Sequence, residues 1–315
     1  MHSRPDPSCP ETDVLVVGEA LIDIIDTAAG AVEFPGGSGL NVAFGLGRLG
    51  VSTSFLTALG KDERGTRIQE HLASAGASML PGAGHLPRTS TATALLDSSG
   101  SAKYDFDIHW ELPQLSLSIV PKVLHTGSLA TFLEPGAKQV RALLESFSGL
   151  ITYDPNIRPT LLPDHAATLR TFEESAALST VVKLSSEDAQ WLYPQWSPTA
   201  VGHHLLGLGP EAAIITDGGS GSYLWSKTAH VHVPARSVTV KDTVGAGDSY
   251  MSALIAGLME DPPGEFDAAK LTRLGTAASL AAAITVGRHG ANPPTRAELT
   301  ESLELAHASR KNPND

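Results

Sequence analysis

"KDTVGAGDSY" at positions 241–250 sets three small residues, Gly245, Ala246 and Gly247, between two aspartates, directly before a stretch from Met251 to Met259 whose apolar spacing predicts a helix. Glycine disfavours a helix interior, so the small residues belong at the helix entrance. The first backbone N–H groups of a helix lack internal partners, and the helix dipole adds partial positive charge, so an anion can be held at that turn. Asp248, one residue inside the ring of donors, would repel the anion unless it had a task of its own. Capping the helix is one such task for Asp242 or Asp248. Taking a proton from an attacking hydroxyl is another.

Phosphoryl transfer needs both parts, because the acceptor hydroxyl must be in line and lose its proton as it attacks a charged group. A base and an anion cradle in one turn therefore point to a kinase. The composition agrees with an enzyme of small molecules. The chain has 315 residues, of which 42% are hydrophobic and 30 are glycine, enough for one large α/β domain. Its 34 acidic and 22 basic residues give a net charge of −12, which argues against a nucleic-acid surface and for a cytoplasmic enzyme. The single cysteine, Cys9, lies in a Pro-rich leader without the apolar core of a signal peptide, which excludes disulfides within the chain. The longest apolar run, at 274–287, is too short to span a bilayer and is expected as a buried helix. His203 and His204 are adjacent and cannot share a helix face, so paired-histidine metal sites are not supported.

Outward from the opening turn, strands and helices alternate. Strands are expected at 13–18, 52–60, 122–127, 150–154, 180–184 and 212–218; helices at 38–50 with Ser38 as N-cap, at 63–75, 136–147 and 165–178. This is the pattern of a mostly parallel sheet covered by helices on both faces. "TSTATALLDSSGSAKYDFDIHW" at 89–110 departs from it, reading as an antiparallel hairpin turning at "DSSGS". Together with about 22–34 it would form a small sheet able to cover a pocket and exclude water. Residues 1–12 and 309–315 are expected to be disordered, with one domain over 13–308.

The other dense patch is "FPGGSGLNVAFGLGRLG" at 34–50. Gly36 and Gly37 allow backbone to approach a ligand, and Asn41 supplies an amide near the following helix. Asp23, in "GEALIDII" at 18–25, adds a carboxylate, and the set suits the hydroxyls of a sugar.

The "GG…N.A….LG" block at 36–50 and the "DTVGAGD" block at 242–248, in that order, resemble the two diagnostic stretches of the ribokinase-like (PfkB-type) carbohydrate kinases, and the resemblance covers nearly the whole chain. It implies a three-layer α/β fold with a small β-sheet lid, ATP with Mg²⁺, and K⁺ as a candidate activator. It implies Asp248 as the base, with the backbone of Gly245, Ala246 and Gly247 around the γ-phosphoryl. Asp242 would order that loop beside a monovalent-cation site. "GKDERG" at 60–65 resembles the family's stretch after the second strand. "ITDGGSGSYLW" at 215–225 resembles the nucleotide segment, with Thr216, Gly218 and Gly221 near phosphates and ribose, and "VGRHGA" at 286–291 the turn by the adenine pocket. "KLSSED" at 183–188 places Lys183 and Ser185 on the nucleotide side, and Asp188 where the family has a glutamate acting on Mg²⁺ through water.

"HTGSLA" at 125–130 and "DPNIRPTLL" at 154–162 resemble the fructokinase and 2-keto-3-deoxygluconate kinase branch, in which Asp154, Asn156 and Arg158 follow a sheet strand. Fructose is the expected acceptor, with Arg158 serving a sugar hydroxyl, an ATP phosphate or a substrate carboxylate. 2-Keto-3-deoxygluconate and ribose are the rival acceptors, and a non-catalytic sugar-binding protein the rival of another class. The expected partners are a small sugar and ATP, with no nucleic acid or membrane, and with a second copy of the chain docking through the lid.

Overall fold

The computed structural model describes residues 12–27, 30–80, 84–96, 102–113, 119–261 and 264–311. Its strands begin with β1 (Val14–Val17), β2 (Leu21–Thr27), β3 (Gly30–Gly36), β4 (Thr53–Leu56), β5 (Ala58–Gly60), β6 (Ser78–Met79), β7 (Gly84–Leu86), β8 (Ser90–Leu96) and β9 (Ala102–Asp107). They continue with β10 (Val123–Gly127), β11 (Leu150–Asp154), β12 (Val181–Ser185), β13 (Ala212–Thr216), β14 (Ser222–Ser226) and β15 (His230–Val233). The helices are α1 (Ser38–Arg48), α2 (Glu63–Ser74), α3 (Gly136–Ser146), α4 (His165–Ala177), α5 (Ser186–Leu192), α6 (Pro198–Leu208), α7 (Ala246–Glu260), α8 (Ala268–Val286) and α9 (Arg296–Lys311).

The large sheet runs β15-β14-β13-β12-β11-β10-β1-β4-β6, and its pairings are parallel from β6 to β13. Fully buried residues such as Val14, Leu15, Val16, Val123 and Leu124 fill its centre, as expected of strands covered on both faces. The stretch expected to follow β13 as a nucleotide segment is a hairpin: β14 returns antiparallel and β15 pairs antiparallel to it. Gly221, at φ 100°, makes that turn. A Cβ there would collide with the carbonyl of Val233.

Three expectations need correction. Residues 52–60 are not one strand: β4 pairs with β1 in the large sheet, whereas β5 pairs with β7 in a two-stranded sheet, with buried Thr57 between them. Ser38 is not the cap of α1 either. Gly37, at φ 104°, occupies that place, and Ser38 turns its hydroxyl to another helix. At the chain's end, α9 runs on to Lys311, through the first three residues of the stretch expected to be a tail.

The small sheet is ordered β3-β2-β8-β9 and is built from the two segments read as a lid. The "DSSGS" turn lies outside the described residues, as do residues 1–11. Register divides its faces. Glu33 on one face pairs with Arg64 and Arg67 of α2, fastening the sheet to the main body. Asp23 and Phe34 are opposite each other, as are Ile25 and Val32, so all four share the other face. The three apolar side chains of that set are exposed. No described helix is long and apolar enough to cross a membrane.

Candidate active site

Small residues bring the site's two helices together. Gly18, just past β1, and Gly39 of α1 are so close that a Cβ on either would lie 2.8 Å from the other's Cα. Gly45 leaves room for Ser252 of α7, whose hydroxyl donates to the Val42 carbonyl at 3.1 Å. Drawn in this way, the N-termini of α1 and α7 meet at the carboxyl edge of the parallel strands, where open α/β sheets bind ligands.

Their meeting point is Asp248. Ser38 Oγ donates to one carboxylate oxygen at 2.7 Å and Asn41 Nδ2 to the other at 2.8 Å. Each oxygen keeps a second lone pair, so the group is held in place and still able to accept a proton. Asn41, expected to face a sugar hydroxyl, thus commits one amide donor to Asp248. Gly245 takes the left-handed conformation at φ 74° as N-cap of α7, where its Cα packs against Ala291. Asp242 accepts from Val244 N at 3.0 Å and Gly290 N at 2.9 Å, tying the loop before α7 to the turn after α8. Those backbone donors hold its pKa below the usual carboxylate range.

The sugar-side candidates gather around Arg158. Gly36 has no room for a Cβ because the Asp23 carboxylate occupies that space, and a Cβ on Gly37 would lie 2.7 Å from the Glu19 carbonyl. Burial pushes Asp23 up to about 6, the nearby Arg158 opposing it. Arg158 is itself exposed and donates to its own turn, to Asn156 Oδ1 at 2.7 Å and to the Ile157 carbonyl at 3.1 Å. Asn156 and Ser128 are the described non-glycine residues with positive φ, at 39° and 50°. Such strain is common in functional sites.

Glu19 was missed by the sequence reading. It is buried, accepts from Ala130 N at 3.2 Å, and is held by the Ser128 side chain. Burial raises its pKa to about 7, against the field of Arg158. The available signal was a carboxylate following a run of buried apolar residues in "VLVVGE".

The nucleotide-side candidates are more dispersed. Thr216 Oγ1 donates to the Leu184 carbonyl at 3.3 Å, and Gly218 is exposed at the end of β13. Ser185 and Asp188 form a capping box at the start of α5, and Asp188 also accepts from Ile157 N at 2.8 Å. This closes the turn with an aspartate and leaves each oxygen a lone pair for water. Among the described residues no group of three His, Cys, Asp or Glu side chains could hold a metal. Lys183 lies deeper, paired with Asp154 at 2.8 Å.

A buried carboxylate in the first turn of a glycine-capped helix, fixed by donors from the start of a second helix, is an arrangement that suits phosphoryl transfer to small hydroxyl compounds. Comparison with known proteins narrows the class. The model of the pfkB family carbohydrate kinases matches residues 11–298. A fructokinase of Rhizobium leguminosarum bv. trifolii is 35% identical over 264 residues, covering 79% of this chain and 80% of that protein. Among solved structures, fructokinase from Xylella fastidiosa with bound ATP superposes with a TM-score of 0.83 at 23% identity, over 93% of this chain and 98% of that one. A sugar kinase from Pyrococcus horikoshii in complex with ATP superposes with a TM-score of 0.77 at 27% identity, over 91% of this chain and 97% of that one. The chain belongs to the pfkB family of carbohydrate kinases and is an ATP-dependent sugar kinase.

Proposed function

We propose that the enzyme transfers the γ-phosphoryl of ATP to a hydroxyl of fructose. The observation that carries this reading is the charge around Arg158, the one cation assigned to the sugar pocket, which already has Glu19 and Asp23 in its field. A desolvated substrate carboxylate needs a cation of its own, and leaving it unpaired costs several kcal/mol. Fructose is neutral and needs donors and acceptors of the kind Asp23, Gly36 and Gly37 supply. The naming of the Rhizobium relative points the same way.

In this reading Asp248 takes the hydroxyl proton while the N–H groups of Gly245, Ala246 and Gly247 receive the charge on the transferring group. Asp188 would order a water on the Mg²⁺ that accompanies ATP, a metal that neutralises phosphate charge. Asp242 and the 286–291 turn would border a K⁺ site. Val238, Val240 and Val244, exposed beside the anion hole, supply an apolar surface for the purine. A second copy docks on the exposed face of the small sheet, and the enzyme works in the cytoplasm, where ATP is available.

An ADP-release assay on fructose, 2-keto-3-deoxygluconate, ribose and adenosine tests the acceptor. The expected kcat/KM for fructose exceeds that for the acid at least about tenfold, roughly 1.4 kcal/mol in transition-state binding. Preference for the acid would make Arg158 a carboxylate ligand and overturn the fructose reading.

A further inference from the structure

Lys183 on β12 and Asp154 at the end of β11 form an ion pair with side chains only 5% and 2% exposed. Desolvating two charges commonly costs as much as their attraction returns, so such a pair adds little stability over apolar residues of the same shape. This pair is poorly arranged for stability. Asp154 Oδ1 is buried without a hydrogen-bond partner, and Lys183, with three N–H donors, makes its one described hydrogen bond to Asp154 Oδ2. What the arrangement does achieve is placement. Lys183 Nζ lies 3.1 Å from where a Cβ on Gly247 would stand, directly against the backbone of the anion hole. Burial opposes the ammonium charge, but Asp154, Asp188 and Asp248 outweigh it and hold its pKa above the ordinary lysine range. Burial raises the Asp154 pKa above the usual carboxylate range, opposed by the Lys183 ammonium and aided by the carboxylates of Asp188 and Asp248.

We propose that Lys183 is a catalytic residue whose ammonium contacts the transferring γ-phosphoryl at the Ala246–Gly247 turn, and that Asp154 is the positioning residue that holds it there. This goes further than a general nucleotide contact and rests on the kinase reading of the site. As the acceptor oxygen bonds to the γ-phosphorus, the bond from phosphorus to the bridging oxygen of ADP breaks and the hydroxyl proton passes to Asp248; Lys183 keeps its protons throughout. Backbone N–H groups offer the phosphoryl oxygens partial charges, whereas Lys183 offers a full one in a water-poor site, where it acts most strongly. A side chain at Gly247 would press on this ammonium and shift it by a few tenths of an ångström.

The test compares wild type with Lys183→Met and with the double variant Lys183→Met/Asp154→Asn, which removes both charges and leaves no carboxylate buried alone. Calorimetric titration with ADP and with AMPPNP, both with Mg²⁺, reads the γ-phosphoryl without any sugar. The double variant is expected to keep the wild-type melting temperature within a few degrees and its ADP affinity within threefold. It should lose at least tenfold in AMPPNP affinity and at least a hundredfold in kcat with the best sugar of the panel, with sugar KM within threefold. A folded double variant with unchanged AMPPNP affinity and kcat would overturn the proposal and make the pair structural. Wild-type protein that binds neither nucleotide would overturn the kinase reading itself, and this proposal with it.

Discussion

At the scale of single residues, Asp248 is the proposed base, and its two hydrogen bonds from Ser38 and Asn41 define its geometry. Asp248→Asn keeps the shape and removes the base, so kcat is expected to fall by about 10²–10⁴ with sugar and ATP KM nearly unchanged. Steady-state kinetics with both substrates varied check this, and more than a tenth of wild-type kcat would place the base elsewhere. Asp23 gives a pH signature. Its pKa is raised to about 6 by burial, so the carboxylate proposed to accept from sugar hydroxyls gains a proton as pH falls through 6, and kcat/KM for the sugar should fall with it. Stability runs the other way. Relative to the unfolded chain the folded state binds the extra proton more tightly, so this group's contribution is full below the ordinary carboxylate pKa and is lost as pH rises through 6. A pH profile of kcat/KM in Asp23→Asn should lack the limb near 6; its persistence would assign that limb to another group.

At the scale of elements, α1 is the part whose sequence is most constrained by contact. Gly37 serves as its N-cap at positive φ with the Glu19 carbonyl beneath it, so Gly37→Ala meets both backbone strain and a 2.7 Å collision. It should cost about 2 kcal/mol or more and raise sugar KM, because Ser38 and Asn41 are carried on the displaced turn. Gly76→Ala is the comparison. It too has a positive φ, 82°, but a Cβ there meets nothing within 4 Å, so it should cost about 1 kcal/mol and leave KM unchanged. Urea unfolding together with sugar KM separates the two, and equal effects on both measures would remove Gly37 from the site.

At the scale of the whole molecule, the small sheet joins the body through Glu33 with Arg64 and Arg67, while its other face presents Ile25, Val32 and Phe34 to solvent beside Asp23. An exposed apolar patch next to Asp23 suits the proposed docking of a second lid. Sedimentation should give the mass of two chains for wild type and of one for Phe34→Asp, with sugar KM raised in the split form as water gains access to the pocket. A monomeric wild type would leave the sheet as a lid on a single chain.

The alternation of strands and helices, the glycine entrance to α7 at Gly245 and the close approach of Gly36 to Asp23 were legible in the sequence because each depends on local spacing or on positions that favour glycine. The end of the strand at Thr57, the antiparallel return of β14 and the true cap of α1 were not, because pairing partners and helix approach are set by residues far away in the chain. The same holds for Ser38 and Asn41 on Asp248, separated from it by 210 and 207 positions, and for Glu19 in the field of Arg158. Sequence spacing determined which chemical groups this kinase has at hand. Only tertiary packing decided which of them touch, because hydrogen bonds and desolvation act over a few ångströms of space whatever the distance along the chain.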